Sequence, residues 1–145
     1  MGYRIPTQNS KFYLPKHEYL QFKHFALRYP DLQKERIKLL LSGAKAITYD
    51  GMPHGNSIQN PVEAAGIRLD QIDRQISTIE DTAAEVGGTI YRWLLKGVTE
   101  EGIKYENLIQ STDRIPCGRR AYYNCRQRFY YQLSRKIVFL CYENL

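Results

Sequence analysis

Apolar residues recur along most of this chain at intervals of three and four, and strand-type alternation is absent. That pattern predicts an all-α protein. A first helix is expected over Pro15–Tyr29, where Tyr19, Phe22, Phe25 and Ala26 share a face and Pro15 suits the first turn. Pro30 should stop it. A second helix should begin near Asp31 and carry Leu32, Ile37, Leu40 and Leu41 to about Ser42, with Gly43 at its end. Residues 43–60 hold three Gly, one Pro and two Asn and read as a loop, with 46–60 as a flexible linker. Residues 1–13 show no periodicity and read as an extended arm broken at Pro6 and Asn9.

The most regular stretch comes next. Asn60 reads as an N-cap, Pro61 as the first helical residue and Glu63 as the capping-box partner. Leu69, Ile72, Ile76, Ile79, Ala83, Val86, Ile90 and Trp93 then follow at spacings of three and four without a break. This predicts one long helix to about Lys96, weakened at Gly87–Gly88 by about 1 kcal/mol per glycine. The seam reads first as a core face under the N-terminal helices, with Trp93 as a core anchor, and second as a dimer coiled coil. Gly97 is expected to end the helix.

The chain should close with a helix–turn–helix unit: a short helix over Lys104–Ser111, a turn at 112–118 containing Pro116 and Gly118, and a long helix to about Leu140. Ala121, Cys125, Phe129, Leu133 and Ile137 recur every four residues and should pack inward, with Tyr122 and Leu140 near that stripe. The organisation expected is therefore a basic, aromatic arm and helical hairpin (1–45), a linker (46–60), and a long helix with a C-terminal helix–turn–helix (61–145).

Charge sharpens this picture. Residues 1–45 carry nine Lys/Arg and three Asp/Glu, residues 46–113 five against eleven, and residues 114–145 seven against one. Two basic ends flank an acidic middle, which points to separate surfaces. From Arg114 to Lys136 there is no acidic residue, and the cations lie among five aromatics. Polyanion binding is the reading that follows, with double-stranded DNA as the partner. The candidate contacts are Arg114, Arg119, Arg120, Tyr122, Tyr123, Asn124, Arg126, Gln127, Arg128, Tyr130 and Arg135. Arg pairs bidentately with guanine, Asn or Gln with adenine, and Tyr hydroxyls reach phosphates. The competing reading is a solvated face whose carboxylate partners come from the acidic middle.

Other chemistry finds little footing. No Walker loop, GxGxxG, HExxH or GxSxG occurs. Cys117, Cys125 and Cys141 form no CxxC pair, and His17, His24 and His54 have no partners at ligand spacing. Asp70, Asp73, Glu80 and Asp81 stud a helix exterior rather than a pocket. Phe12, Tyr13, Tyr19, Phe22 and Phe25 could stack on bases, though core packing explains most of them better. The sequence predicts no catalytic centre, no metal, no cofactor, no membrane span, no secretion and a cytoplasmic location.

Three segments resemble, in this order, phage-encoded transcriptional regulators of the RinA/ArpU-like group: DGMPHGNSIQNPVEAA (50–65), IDRQISTIEDTAAEV (72–86) and IPCGRRAYYNCRQRFYYQLSRKI (115–137). Proteins of that group come from prophages of Gram-positive bacteria and resemble the promoter-reading domain of sigma factors. The resemblance implies a recognition helix from about Cys117, control of phage late genes, and an acidic middle facing host RNA polymerase in the bacterial host cell. The first 45 residues match nothing in that group. Two alternatives stay open: a small-terminase-like DNA-packaging adaptor, and a phage protein-binding inhibitor of a host nucleic-acid enzyme.

Overall fold

The computed structural model describes residues 11–48, 61–110 and 112–143, with side chains over 11–42, 61–110 and 112–137. Six α-helices occur among them, and no strand: α1 Lys16–Leu27, α2 Tyr29–Thr48, α3 Pro61–Gly87, α4 Tyr91–Thr99, α5 Tyr105–Gln110 and α6 Arg119–Glu143. A 3-10 turn, Gly88–Ile90, joins α3 to α4. The all-α expectation holds. The Asn60 cap, the linker at 49–60 and the arm at 1–10 lie outside the described residues.

Pro30 opens α2 instead of closing α1. The first helix ends at Leu27, and Leu32 N–H already donates to Arg28 O at 2.9 Å. A proline in the first turn loses nothing, because that N–H has no helical acceptor. Gly43 does not end α2 either; the helix continues to Thr48 and shortens the expected linker.

α2 and α3 run antiparallel and are tied at three levels. Tyr29 Oη donates to Glu80 at 2.7 Å, Arg36 pairs with Asp73 at 2.6 Å, and Arg68 grips both oxygens of Glu35 at 2.9 and 3.0 Å. Leu32 and Ile72 are buried along this hairpin. The main core lies beyond it, where α1, α3, α4 and α6 converge on Phe22, Ala26, Ile79, Ala83, Leu94, Val98, Phe129 and Leu133. α1 therefore shares its core with α6.

The α3 seam is this core face. Ile72, Ile79, Ala83, Val86 and Ile90 are buried, and Leu69 and Ile76 are half-buried. Its positions are filled from within the chain. Past Gly87 the register changes. Gly88 adopts φ +55°, a left-handed conformation that costs a side-chain-bearing residue steric strain. The rewound chain buries Leu94 and Val98 after Ile90, and Trp93 turns toward the rim. Trp93 is half-buried and packs against the edge of the core. Its indole N–H donates to Asp113 O at 2.9 Å, and Arg92 lies over its ring while pairing with Asp113 at 2.6 Å.

Tyrosines dominate the seat of α6. Tyr19 meets Tyr130 edge-on at 5.2 Å, and Tyr122 lies 6.0 Å from Tyr105 and 5.0 Å from Tyr123. Burial pushes the Tyr122 phenol from 10.0 up to about 12, and its hydroxyl has no hydrogen-bond partner among the described residues. Burial, then the Glu80 contact, raises Tyr29, and burial raises Tyr130. A phenol whose folded pKa lies above its unfolded value stabilises the fold below pH 10 and loses that contribution as pH climbs through the folded value. Stability is therefore expected to fall between about pH 10 and 12, by roughly 2–3 kcal/mol from Tyr122 alone. Tyr122→Phe should be at least as stable at pH 7 and lose less in alkali, as read by denaturant melts at each pH. An unchanged alkaline limb in that variant would contradict the assignment.

Candidate nucleic-acid interface

The route to α6 is short. α5 has six residues, and residues 111–118 connect it to α6. Ile115 anchors this connection: it is buried, and its N–H donates to Leu108 O at 3.3 Å. Tyr105 Oη donates to Cys117 O at 2.7 Å, and Arg119 pairs with Glu106. Trp93 and Arg92 hold the turn from the α4 side. The helix order matches a helix–turn–helix unit, but eight connecting residues exceed the three or four typical of that motif.

Burial along α6 separates the expected contact residues into three groups. Tyr122 and Tyr130 are 0% and 1% exposed and belong to the core, so neither offers its side chain to a partner. Every-fourth-residue counting placed Tyr130 on the wrong side; the buried face is broader than the Phe129–Leu133 stripe, and Ala121 is exposed. Arg126, Gln127 and Tyr123 are half-buried. Arg114, Arg119, Arg120, Asn124, Arg128 and Arg135 are exposed.

Arg120, Asn124 and Arg128 stand one turn apart on the outward face, followed by Tyr131 and Arg135. From Arg120 to Arg135 this stripe is roughly 22 Å long at 1.5 Å per residue. Phe12 crosses its middle, edge-on to Tyr131 at 5.5 Å with the Arg128 guanidinium 5.6 Å from its ring. Arg135 covers Tyr131 at 5.7 Å. Among the early aromatics, Tyr19 and Phe22 are core, while Phe12 lies against this face.

The acidic middle does neutralise part of the basic end. Lys136 pairs with Glu85 at 2.8 Å, and Arg119 with Glu106. Among the described residues, Arg114, Arg120, Arg128 and Arg135 make no ion pair with a carboxylate. The solvated-face reading thus accounts for two of the seven cations of this segment; these four and Arg126 have no carboxylate partner among the described residues.

Beside the N-terminal half of α6 opens a cleft of about 910 Å³, walled by α1, the end of α4 and the loop at 100–104. Lys23, His24, Glu100, Glu101 and Lys104 reach it together with Arg119, Arg120, Asn124 and Arg126. Sequence reasoning could not assemble this group, because its members come from three distant segments with no local motif. Cys117 and Cys125 are half-buried free thiols, and burial raises the first. No group of three or more His, Cys, Asp or Glu able to hold a metal ion occurs among the described residues. No described helix is long and apolar enough to cross a membrane.

Compared with known proteins, the chain matches no family model, no curated protein and no solved structure.

Proposed function

We propose that this protein binds double-stranded DNA through the outward face of α6 and acts as a sequence-specific transcriptional regulator. One observation carries the reading: Arg120, Asn124 and Arg128 are exposed at successive turns of a helix with no acidic residue before position 137, and both arginines lack a carboxylate partner among the described residues. An α-helix fits the major groove, and an Arg–Asn–Arg row presents groups suited to guanine and adenine edges or to phosphates. The resemblance to RinA/ArpU-like regulators adds phage genes as the target and host RNA polymerase as a second partner. For the polymerase contact, Asp73, Glu85 and Glu106 are already engaged inside the chain, which leaves Glu63, Asp70 and Asp81 exposed on α3.

Arginine-specific modification, read by mass spectrometry with and without duplex DNA, tests the surface. Duplex should protect Arg120 and Arg128, whereas Arg92, whose guanidinium is held by Asp113 and Trp93, should react equally in both samples. Bound duplex that protects neither α6 arginine would place the contact elsewhere.

A further inference from the structure

The cleft beside α6 contains a cation without a counter-ion among the described residues. Arg126 is half-buried on its wall, and its Nε–H is buried with no acceptor. Its guanidinium hydrogen-bonds to Tyr130 and lies 5.9 Å from that ring's centre, and no carboxylate pairs with it among the described residues. Taking a guanidinium out of water without an anion is costly, since burial removes hydration that neutral phenols only partly replace. The outer-face arginines are solvated and carry no such penalty.

The surroundings specify what would complete the site. Lys23, Lys104 and Arg120 bring further positive charge to the cleft and outnumber its two glutamates, so an oxyanion is the complement. The walls are more apolar than polar, with Leu27, Val98 and Ile103 beside the half-buried Tyr123 ring. At about 910 Å³ the space is far larger than an inorganic anion and within the range of small-molecule sites. Glu100 and Glu101 line the cleft as well and can accept hydrogen bonds from hydroxyl groups.

We propose that this cleft is a small-molecule site for a phosphate ester on a flat ring-bearing body, of the nucleoside monophosphate class, with Arg126 as its anion-binding residue. The phosphate meets the Arg126 guanidinium, the sugar hydroxyls face Glu100 and Glu101, and the base lies against Tyr123 and the apolar wall. The site does not rest on the DNA reading: its ligand is small, and it is tested on the protein alone.

The test is calorimetric titration of the full chain with adenosine, guanosine, cytidine and uridine monophosphates and with inorganic phosphate, on wild type, Arg126→Met, Arg126→Lys and Arg135→Ala. Wild type should bind at least one nucleoside monophosphate at least roughly tenfold more tightly than inorganic phosphate. Arg126→Met should abolish that binding while melting at or above the wild-type temperature, because it removes a buried unpaired charge. Arg126→Lys keeps the charge but loses the planar fork, and should weaken binding at least roughly tenfold even if the Met variant folds poorly. Arg135→Ala, outside the cleft, should bind as wild type does. No heat or saturation with any nucleotide, equal affinity for inorganic phosphate, or unchanged affinity in Arg126→Lys would each overturn the proposal. Duplex binding that fails while nucleotide binding holds would count against the α6 face alone.

Discussion

Gly97→Ala should destabilise this protein by about 2–4 kcal/mol, the range for a methyl forced into a packed core. A Cβ at this position would lie 1.9 Å from the Tyr122 hydroxyl oxygen and 3.1 Å from its Cζ. Tyr122 has no room to retreat: it is 0% exposed and packed between the Tyr105 and Tyr123 rings. Gly97 therefore does not terminate a helix, as its position after a long apolar seam suggests. It sits inside α4 and lets the Tyr122 ring close on the α4 backbone. The melting temperature should drop by roughly 5–15 °C. Adding Tyr122→Phe should restore part of that loss, because the oxygen at 1.9 Å disappears while the carbon at 3.1 Å stays tight. A Gly97→Ala protein as stable as wild type would contradict this seating of α6 on α4.

Replacing Arg120 and Arg128 together with Ala should weaken duplex binding at least roughly 30-fold, at about 1–3 kcal/mol for each lost base contact. Stability should move by no more than about 1 kcal/mol, because both side chains are exposed, neither pairs with a carboxylate among the described residues, and Arg128 gives up only its contact with the Phe12 ring. Arg119→Ala, which removes the partner of Glu106, serves as the comparison and should affect binding less. Fluorescence anisotropy for affinity and denaturant melts for stability check both. If the double variant binds as tightly as wild type, the outward face of α6 is not the contact surface.

The parts of this fold that could be read from the sequence are those that depend on local periodicity. The run Ile72–Ile79–Ala83–Val86 fixes one face of α3 through spacing alone, and the structure buries it. Counting fails where the backbone changes its winding. The left-handed Gly88 rotates everything after it, so Leu94 and Val98 take the place expected of Trp93. It fails again where packing comes from distant segments. Tyr130 is buried because Tyr19 of α1 closes over it, a contact across 111 positions that no pattern within α6 encodes. The same applies to the charge blocks: their opposition was visible, but only the fold distinguishes Lys136 and Arg119, which it pairs, from Arg120 and Arg128, which it leaves exposed. Phe12, bound to Tyr131 and Arg128, likewise had no signature in a stretch without periodicity.

The proposed reading of DNA sequence by α6, beyond attraction to phosphate, predicts discrimination between duplexes of equal length. Its most direct test is a gel-shift titration of the purified protein on duplex from its own genomic neighbourhood and on a scrambled duplex of equal length, across a salt series. A preference for one native fragment that persists at about 150 mM salt is the predicted result, since phosphate contacts alone weaken steeply with salt. Equal binding to both duplexes that vanishes as salt rises would contradict it and reduce the arginine row to an electrostatic patch.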